Sequence, residues 1–555
     1  MKLSFSIIFL LVIVPLCFSG KGQLFSYDSH SQNSTDSILL NLNHPEDLEG
    51  EVERIQGLAG QTTSMLTEAL LNLAEKNEGA MKWKDVYNLT IDGIEEFDYY
   101  PGMRGMSSVG MTYAELYSST RNATYYSILQ SIGDFVLALA VNGTVGKTWP
   151  KSEANSRNWT SARYGNAGIL PFLLEIGKIT KAQRFIDGAK AAADYLVETK
   201  INNGTGVAYW LTNGRNGFVA TDFYYGVAGV ISSLLDAYVT LNKSVYLSTA
   251  IEGGNWLISL AEKPEITTDQ AFVPWTVSND EVFRTLAHTG YLSGQAGIGE
   301  VFLKLHAIDR GSNWLEFAKK LGNWLRGTDF NDTGLYPSAG APYLTNRDEN
   351  SGNILGLASG SLGIARFFLH LYDKDREEQW LYEIIRIMNT VESSIKNTPY
   401  GWLLPYEYRG VGQTEYYTGR YSGLAGLVEF MSELNVDFGD PSFWILTSRA
   451  IETLYNITAE NHGFLPAIVG SGQVFSNGED GLAGVIQSLL PILRITNGTD
   501  LGIWKNQYAK AKENLPPSQL TVESTTAATW SDINFLVLGV LSLLLLRKIK
   551  RGHCY

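Results

Sequence analysis

Two kinds of hydrophobic pattern alternate along the chain. The first is amphipathic. Trp314, Phe317, Ala318, Leu321, Trp324 and Leu325 recur at i, i+3, i+4 and i+7, with Glu316, Lys319, Lys320 and Asn323 between them. Phe185, Ile186, Ala189, Ala192, Ala193 and Leu196 repeat the spacing, as do Leu381, Ile384, Ile385, Met388 and Val391. This period predicts half-exposed helices. The second kind is apolar on nearly all sides, as in Val230-Ile231 with Leu234-Leu235, and Ile364-Ala365 with Phe367-Phe368-Leu369. Such runs predict buried helices.

Each buried run opens on a Gly-x-x-Gly pair. The pairs are Gly165/Gly168, Gly226/Gly229, Gly294/Gly297, Gly360/Gly363, Gly423/Gly426 and Gly481/Gly484, and their first glycines lie 61, 68, 66, 63 and 58 residues apart. One such pair means little in a glycine-rich chain; six at near-constant spacing are a repeat. Each unit reads as an inner buried helix, an outer half-exposed helix and a long loop back. Stacked units of this kind close into an α/α toroid, a double-layered barrel of six to seven helical hairpins. A degenerate seventh unit is expected around Ser107–Gly110 with a helix near Tyr125–Val141, and residues 50–77 are expected to add an outer helix.

The segments leading into the inner helices should converge on one mouth of the toroid. Tyr164, Tyr224, Tyr225, Tyr291, Ser293, Ser359, Arg420, Tyr421 and Ser422 are the candidate ligand contacts there. Asp222, Glu479, Asp480 and His288 are the candidate catalytic residues. Each has a plainer reading: Asp222, Asp480 and the serines as helix caps, the tyrosines as packing, His288 as a solvated loop residue. His306 and His370 fall inside inner helices and read as buried structural residues.

The ends of the chain read differently. Residues 1–19 form a secretory signal, with Lys2 followed by an apolar run. Residues 20–48 are a polar leader, 49–513 the toroid and 514–532 a Ser/Thr/Pro-rich stalk. Residues 533–546 are apolar and 547–555 carry Arg547, Lys548, Lys550 and Arg551, a pattern expected of a C-terminal single transmembrane helix with a basic cytoplasmic tail. The expectation is a single-pass protein at the cell surface with its body outside. Ten N-x-S/T sequons, at Asn33, Asn88, Asn122, Asn142, Asn158, Asn203, Asn242, Asn331, Asn456 and Asn497, are the candidate glycosylation sites.

Charge and cysteine content narrow the chemistry. The chain of 555 residues carries −14, and without its two ends 38 bases face 57 acids. A nucleic-acid partner is therefore excluded. The two cysteines, Cys17 and Cys554, both lie in the terminal segments. No disulfide or thiolate-held metal is expected in the body.

The spaced glycine pairs resemble those of lanthionine synthetase C-like proteins, which are α/α toroids. Asp222-Phe-Tyr-Tyr-Gly226, Ser293-Gly294-Gln-Ala-Gly297, Ser359-Gly360-Ser-Leu-Gly363 and Tyr421-Ser422-Gly423-Leu-Ala-Gly426 carry the resemblance. In the family's cyclases an Asp precedes one pair by four residues, and Asp222 matches. The next pair follows a His, where this chain has Ser293. The zinc ligands of the family fall at Ser359, Tyr421 and Ser422. The resemblance thus implies the fold and the funnel, while the substitutions imply no zinc, no other cofactor and no thioether synthesis. The expected partners are a peptide, glycan or small-molecule ligand, and a membrane through the C-terminal helix. The expected function is binding in the central funnel. The alternative is a glycan-active enzyme pairing Asp222 with Glu479 or Asp480.

Overall fold

In the computed structural model the described residues are 45–514, apart from 78–79, 89–98, 153–154, 203, 214–217, 263–267, 278–286, 312, 330–332, 338, 341–352, 409–414 and 496–504. The signal, most of the leader, the stalk, the anchor and the tail lie outside them, as do Asn33, Asn203, Asn331 and Asn497. Among the described residues no helix is long and apolar enough to cross a membrane. Two compact units divide the chain, Met1–Leu48 and Glu49–Tyr555, and the toroid belongs to the second.

The chain is mainly helical. Helix α1 (Pro45–Asn72) precedes six helical hairpins: α2 (Met106–Thr120) with α3 (Ala123–Ala138), α4 (Asn166–Thr180) with α5 (Gln183–Glu198), α6 (Val227–Leu241) with α7 (Ser244–Leu260), α8 (Gln295–Ile308) with α9 (Trp314–Thr328), α10 (Ser361–Asp375) with α11 (Glu378–Ser394), and α12 (Leu424–Phe438) with α13 (Pro441–Glu460). Helices α14 (Leu482–Arg494) and α15 (Lys505–Asn514) follow. The first helix of each hairpin packs on its counterparts in the neighbouring hairpins, and α14 packs on both α12 and α2. Seven inner helices therefore close a ring. The expected degenerate unit is the α2–α3 hairpin.

The outer partner of α14 comes from the other end of the sequence. Gln56 on α1 donates to the carbonyls of Ile492 (3.1 Å) and Ile495 (2.7 Å) at the carboxyl end of α14. The strands Val86–Asn88 and Gln473–Phe475 pair antiparallel and close the same seam.

The outer helices bury the apolar faces that their spacing predicts. Trp314, Phe317, Ala318, Leu321, Trp324 and Leu325 are all in the core. A further repeat concerns their carboxyl ends. Trp83, Trp149 and Trp210 donate their indole N–H groups to the carbonyls of Leu70, Val136 and Leu196 at 2.6–2.7 Å. Each of these carbonyls lies in the last turn of an outer helix, where no helical partner remains.

The glycine pairs have a steric cause. Each inner helix starts on the first glycine with no side-chain cap, because the incoming loop folds back over the helix start. A Cβ on Gly165 would lie 1.8 Å from the carbonyl oxygen of Trp159, and one on Gly297 would lie 1.6 Å from that of Tyr291. Ser293, Ser359 and Ser422 thus stand one residue before the cap and do not occupy it.

This packing separates two glycines cleanly. Gly297→Ala should destabilise the protein by about 3 kcal/mol or more, because backbone must move to admit the methyl group. Gly57→Ala, inside α1 with nothing near its Cβ, should stabilise by about 0.5–1 kcal/mol. Thermal denaturation of both variants checks the contrast.

Candidate functional site

The loops before the inner helices are joined by a circular relay of backbone hydrogen bonds. In five of them, the residue two before the first glycine donates its N–H to the carbonyl of its counterpart in the next unit; in the last, the Glu479 N–H bonds Asn477 Oδ1 (2.9 Å). Arg163 donates to Tyr224 (2.9 Å), Tyr224 to Leu292 (2.9 Å), Leu292 to Ala358 (2.8 Å), Ala358 to Tyr421 (3.0 Å) and Tyr421 to Glu479 (3.2 Å). Arg104 joins the first unit by donating to Arg163 (3.0 Å). Side chains complete the circle. The guanidinium of Arg163 donates to both Glu479 carboxylate oxygens (3.2 and 2.9 Å), and Arg104 bonds Asp85 (2.6 Å) while lying 3.8 Å from Glu479.

The relay sorts the candidate residues into layers. Tyr224, Leu292 and Tyr421, two before their glycines, are buried and pack together as a plug across the ring. Tyr164, Tyr225, Ser293, Ser359 and Ser422 stand one before their glycines, beside the plug and half-buried. Phe223, Tyr291 and Arg420, three before, line a cavity on the other side of the plug. Tyr291 and Arg420 therefore differ from the expectation that they line the mouth.

The candidate catalytic carboxylates are taken up within the protein. Asp222 is fully buried. It accepts from the Tyr225 amide (2.6 Å) and the Trp275 indole (2.7 Å), and burial pushes its pKa up to about 6 against these bonds. His288 stands edge-on to Trp275, ring centres 4.7 Å apart. Asp480 accepts from the amides of Tyr421 (3.0 Å) and Ser422 (2.7 Å) and from the Ser422 hydroxyl (2.7 Å). It caps the preceding unit's helix approach, not its own. Burial pushes Glu479 up to about 7 against the pull of Arg163 and Arg104.

The zinc positions of the resembled cyclases fare no better as ligands. Ser422 already donates to Asp480, and the ring of Tyr421 is stacked edge-on against Tyr224. Burial raises the Tyr421 phenol, away from the phenolate that a metal would need. With Ser359, the three positions offer neutral hydroxyls, a poor donor set for zinc. Among the described residues no group of three His, Cys, Asp or Glu side chains is placed to hold a metal ion.

Beyond the plug lies a charged well that the sequence reading missed. The inner helices are not apolar all round. The sixth residues after the first glycine are Met111, Pro171, Ser232, Glu300, Arg366, Glu429 and Gln487; the tenth are Glu115, Glu175, Asp236, Lys304, His370, Glu433 and Pro491. Two adjoining cavities, of about 310 and 440 Å³, open along this stripe and share Phe223 and Ser232. Side-chain exposure climbs down the stripe, from 5% at Glu429 and 17% at Glu300 to 37% at His370 and 49% at Asp373. The well is closed by the plug and opens at the carboxyl ends of the inner helices. His370 faces it, contrary to its reading as a buried structural residue.

The well's charges are paired across neighbouring helices. Arg420 grips Glu429 with two bonds (2.6 and 2.8 Å), and Arg366 bonds Glu429 (3.2 Å) and Glu433. Burial opposes the Glu429 charge, yet the two arginines and the Ser488 hydroxyl bring its pKa down to about 2. Lys304 pairs with Asp236 (2.8 Å) and His370 Nδ1 with Glu300 (2.6 Å). Burial disfavours the imidazolium, but Glu300 and Glu433 outweigh it and hold the His370 pKa above its usual value.

Comparison with known proteins bears out the family resemblance over the first part of the toroid, which includes the Gly165/Gly168 pair. The family model described as lanthionine synthetase C-like protein matches residues 61–218. No curated protein matches the chain. Among solved structures, a sugar epimerase from a ruminal bacterium aligns at 12% identity and a TM-score of 0.46, covering 63% of this chain and 90% of its own. A cellobiose 2-epimerase from Spirochaeta thermophila aligns at 10% identity and 0.46, covering 75% and 99%. A family 76 glycoside hydrolase from a bovine Bacteroides thetaiotaomicron strain aligns at 16% identity and 0.43, covering 72% and 77%.

Two measurements test this site. Glu429 ionises far more readily folded than unfolded, so its contribution is complete above about pH 4.5 and is lost as pH falls toward about 2. Glu429→Gln should cost about 3 kcal/mol at neutral pH and flatten that acid limb in thermal melts. Elemental analysis of the full-length protein should find zinc well below one equivalent; a stoichiometric amount would contradict the donor-set argument.

Proposed function

We propose that this chain is a lanthionine synthetase C-like toroid that binds a small polar ligand in its central well and performs no zinc-dependent cyclisation. One observation carries the reading. The mouth's carboxylates are consumed by amides, an indole and arginines, whereas the well keeps ionisable side chains beside open volume. Wells of a few hundred Å³ with convergent polar groups over an aromatic floor are the usual form of small-ligand sites. A peptide would enter only by a terminus or side chain, since the plug closes the far end.

The signal, anchor and basic tail read from the sequence support display of this body outside the cell on a single membrane helix. Asn122, Asn142 and Asn242 are exposed, as glycan attachment requires. The glycan-active alternative would need two free carboxyls across a cleft. Asp222, Glu479 and Asp480 each carry internal partners, so that reading has less support at the mouth.

The test is a thermal-shift screen of the full-length protein against peptides, amines, organic anions and neutral sugars. At least one class should raise the melting temperature by several degrees, an effect lost in Asp236→Ala. A ligand whose effect survives Asp236→Ala and vanishes in Ser422→Ala would place binding at the mouth and refute the well.

A further inference from the structure

The wall of the larger cavity carries a pairing whose chemistry narrows the ligand. Glu300 on α8 accepts from His370 Nδ1 on α10 at 2.6 Å. Lys304, one turn further along α8, lies 2.8 Å from Asp236 on α6, which lines the adjoining 310 Å³ cavity, and donates to the Ser232 hydroxyl at 3.0 Å. Phe223 and Tyr291 form the apolar floor of the same 440 Å³ space.

Three properties follow. Each ion pair is net neutral when His370 is charged, so a charged ligand would have to break a pair and leave its partner uncompensated. Each pair offers a donor beside an acceptor, the pattern that neighbouring hydroxyls satisfy. The third property is the most selective. Glu300 fixes the proton on Nδ1, so Nε2 accepts when the ring is neutral and donates when it is charged. A hydroxyl can meet both states, since it donates and accepts; an ammonium or a carboxylate can meet only one. No described residue bonds Nε2 itself. The other ionisable groups around His370 are Arg366, Asp373 and Lys374 on α10, the last two paired with each other at 2.7 Å, Lys304 on α8, and Glu433 and Asp437 on α12.

We infer that the well binds a neutral polyhydroxylated ring, of the sugar or cyclitol class, held edge-on by the His370–Glu300 and Lys304–Asp236 pairs with its C–H face on Phe223 and Tyr291. The inference rests on the reading that ligand enters the well.

Isothermal titration of the full-length protein with glucose, mannose and myo-inositol, beside cadaverine and citrate, tests it. At least one neutral polyol should bind, with affinity changing less than about threefold between about pH 5.5 and about pH 8. His370→Ala and Lys304→Met should each weaken it about tenfold, while His370→Gln, which still donates and accepts, should retain most of it. The imidazole resonance of His370 in the unmutated protein should move on adding the polyol, a readout independent of how the variants fold. Binding of cadaverine, citrate or a peptide that is lost in Asp236→Ala, with no polyol bound, overturns the ligand class and leaves the well as the site. Polyol binding that ignores His370→Ala and Asp236→Ala overturns both readings, as does binding by none of the probes or peptides.

Discussion

The fold depends on one repeated contact, the N–H of the residue two before five of the six glycine pairs reaching the carbonyl of its counterpart in the next unit. That bond draws each loop across the start of its own helix. Backbone then lies where a Cβ would project, and glycine is required at both positions of the pair. The bond also fixes the direction of the flanking side chains. Residues one, two and three before the glycine are sent to the mouth, the plug and the well floor respectively. A single geometry thereby assigns chemistry by sequence position, and substitutions at those positions change the layers independently.

That independence explains how the scaffold can resemble a zinc cyclase without its metal site. The positions where the resemblance would place ligands hold hydroxyls and tyrosines that complete the plug and the mouth. Glu479, which in sequence resembles a catalytic acid, instead bridges the last unit to Arg163 and Arg104 of the first two. With the mouth's carboxylates taken up by internal partners, the well is where ionisable side chains border open volume. Those ions are tolerated because nearly every base there faces an acid on an adjacent helix, which offsets the desolvation that isolated charges would suffer.

The toroid was legible because its signals are local or periodic: Trp314 to Leu325 mark an outer helix by spacing alone, and six glycine pairs mark the inner ones. The closing helix was expected too, as an outer helix over residues 50–77, and it spans Pro45–Asn72. The function of the carboxylates was not. Asp222 and Glu479 looked alike in sequence, and only tertiary contacts show one bonded to an indole and the other to two arginines. The well was missed for a different reason. Reading the inner runs as uniformly apolar averaged away single charged positions, although Glu300, Arg366 and Glu429 recur at the sixth residue and Lys304, His370 and Glu433 at the tenth. Aligning the units on their glycines would have exposed that stripe; which helix faces which, and hence the His370–Glu300 pairing, needs the closed ring.

The docking of α1 on α14 has a kinetic consequence. Open helical solenoids can grow from any unit and protect each end with a cap. Here the first of the described helices must wait for the last unit before either is complete, across more than four hundred residues of sequence. During synthesis α1 emerges with its apolar face unpartnered while the intervening hairpins form. Sealing the ring is thus a late, long-range step of high loop-closure entropy. Until it occurs, the growing toroid exposes two raw helical surfaces that match each other and also match those of a neighbouring copy, so the seam is where this chain would exchange domains if crowded.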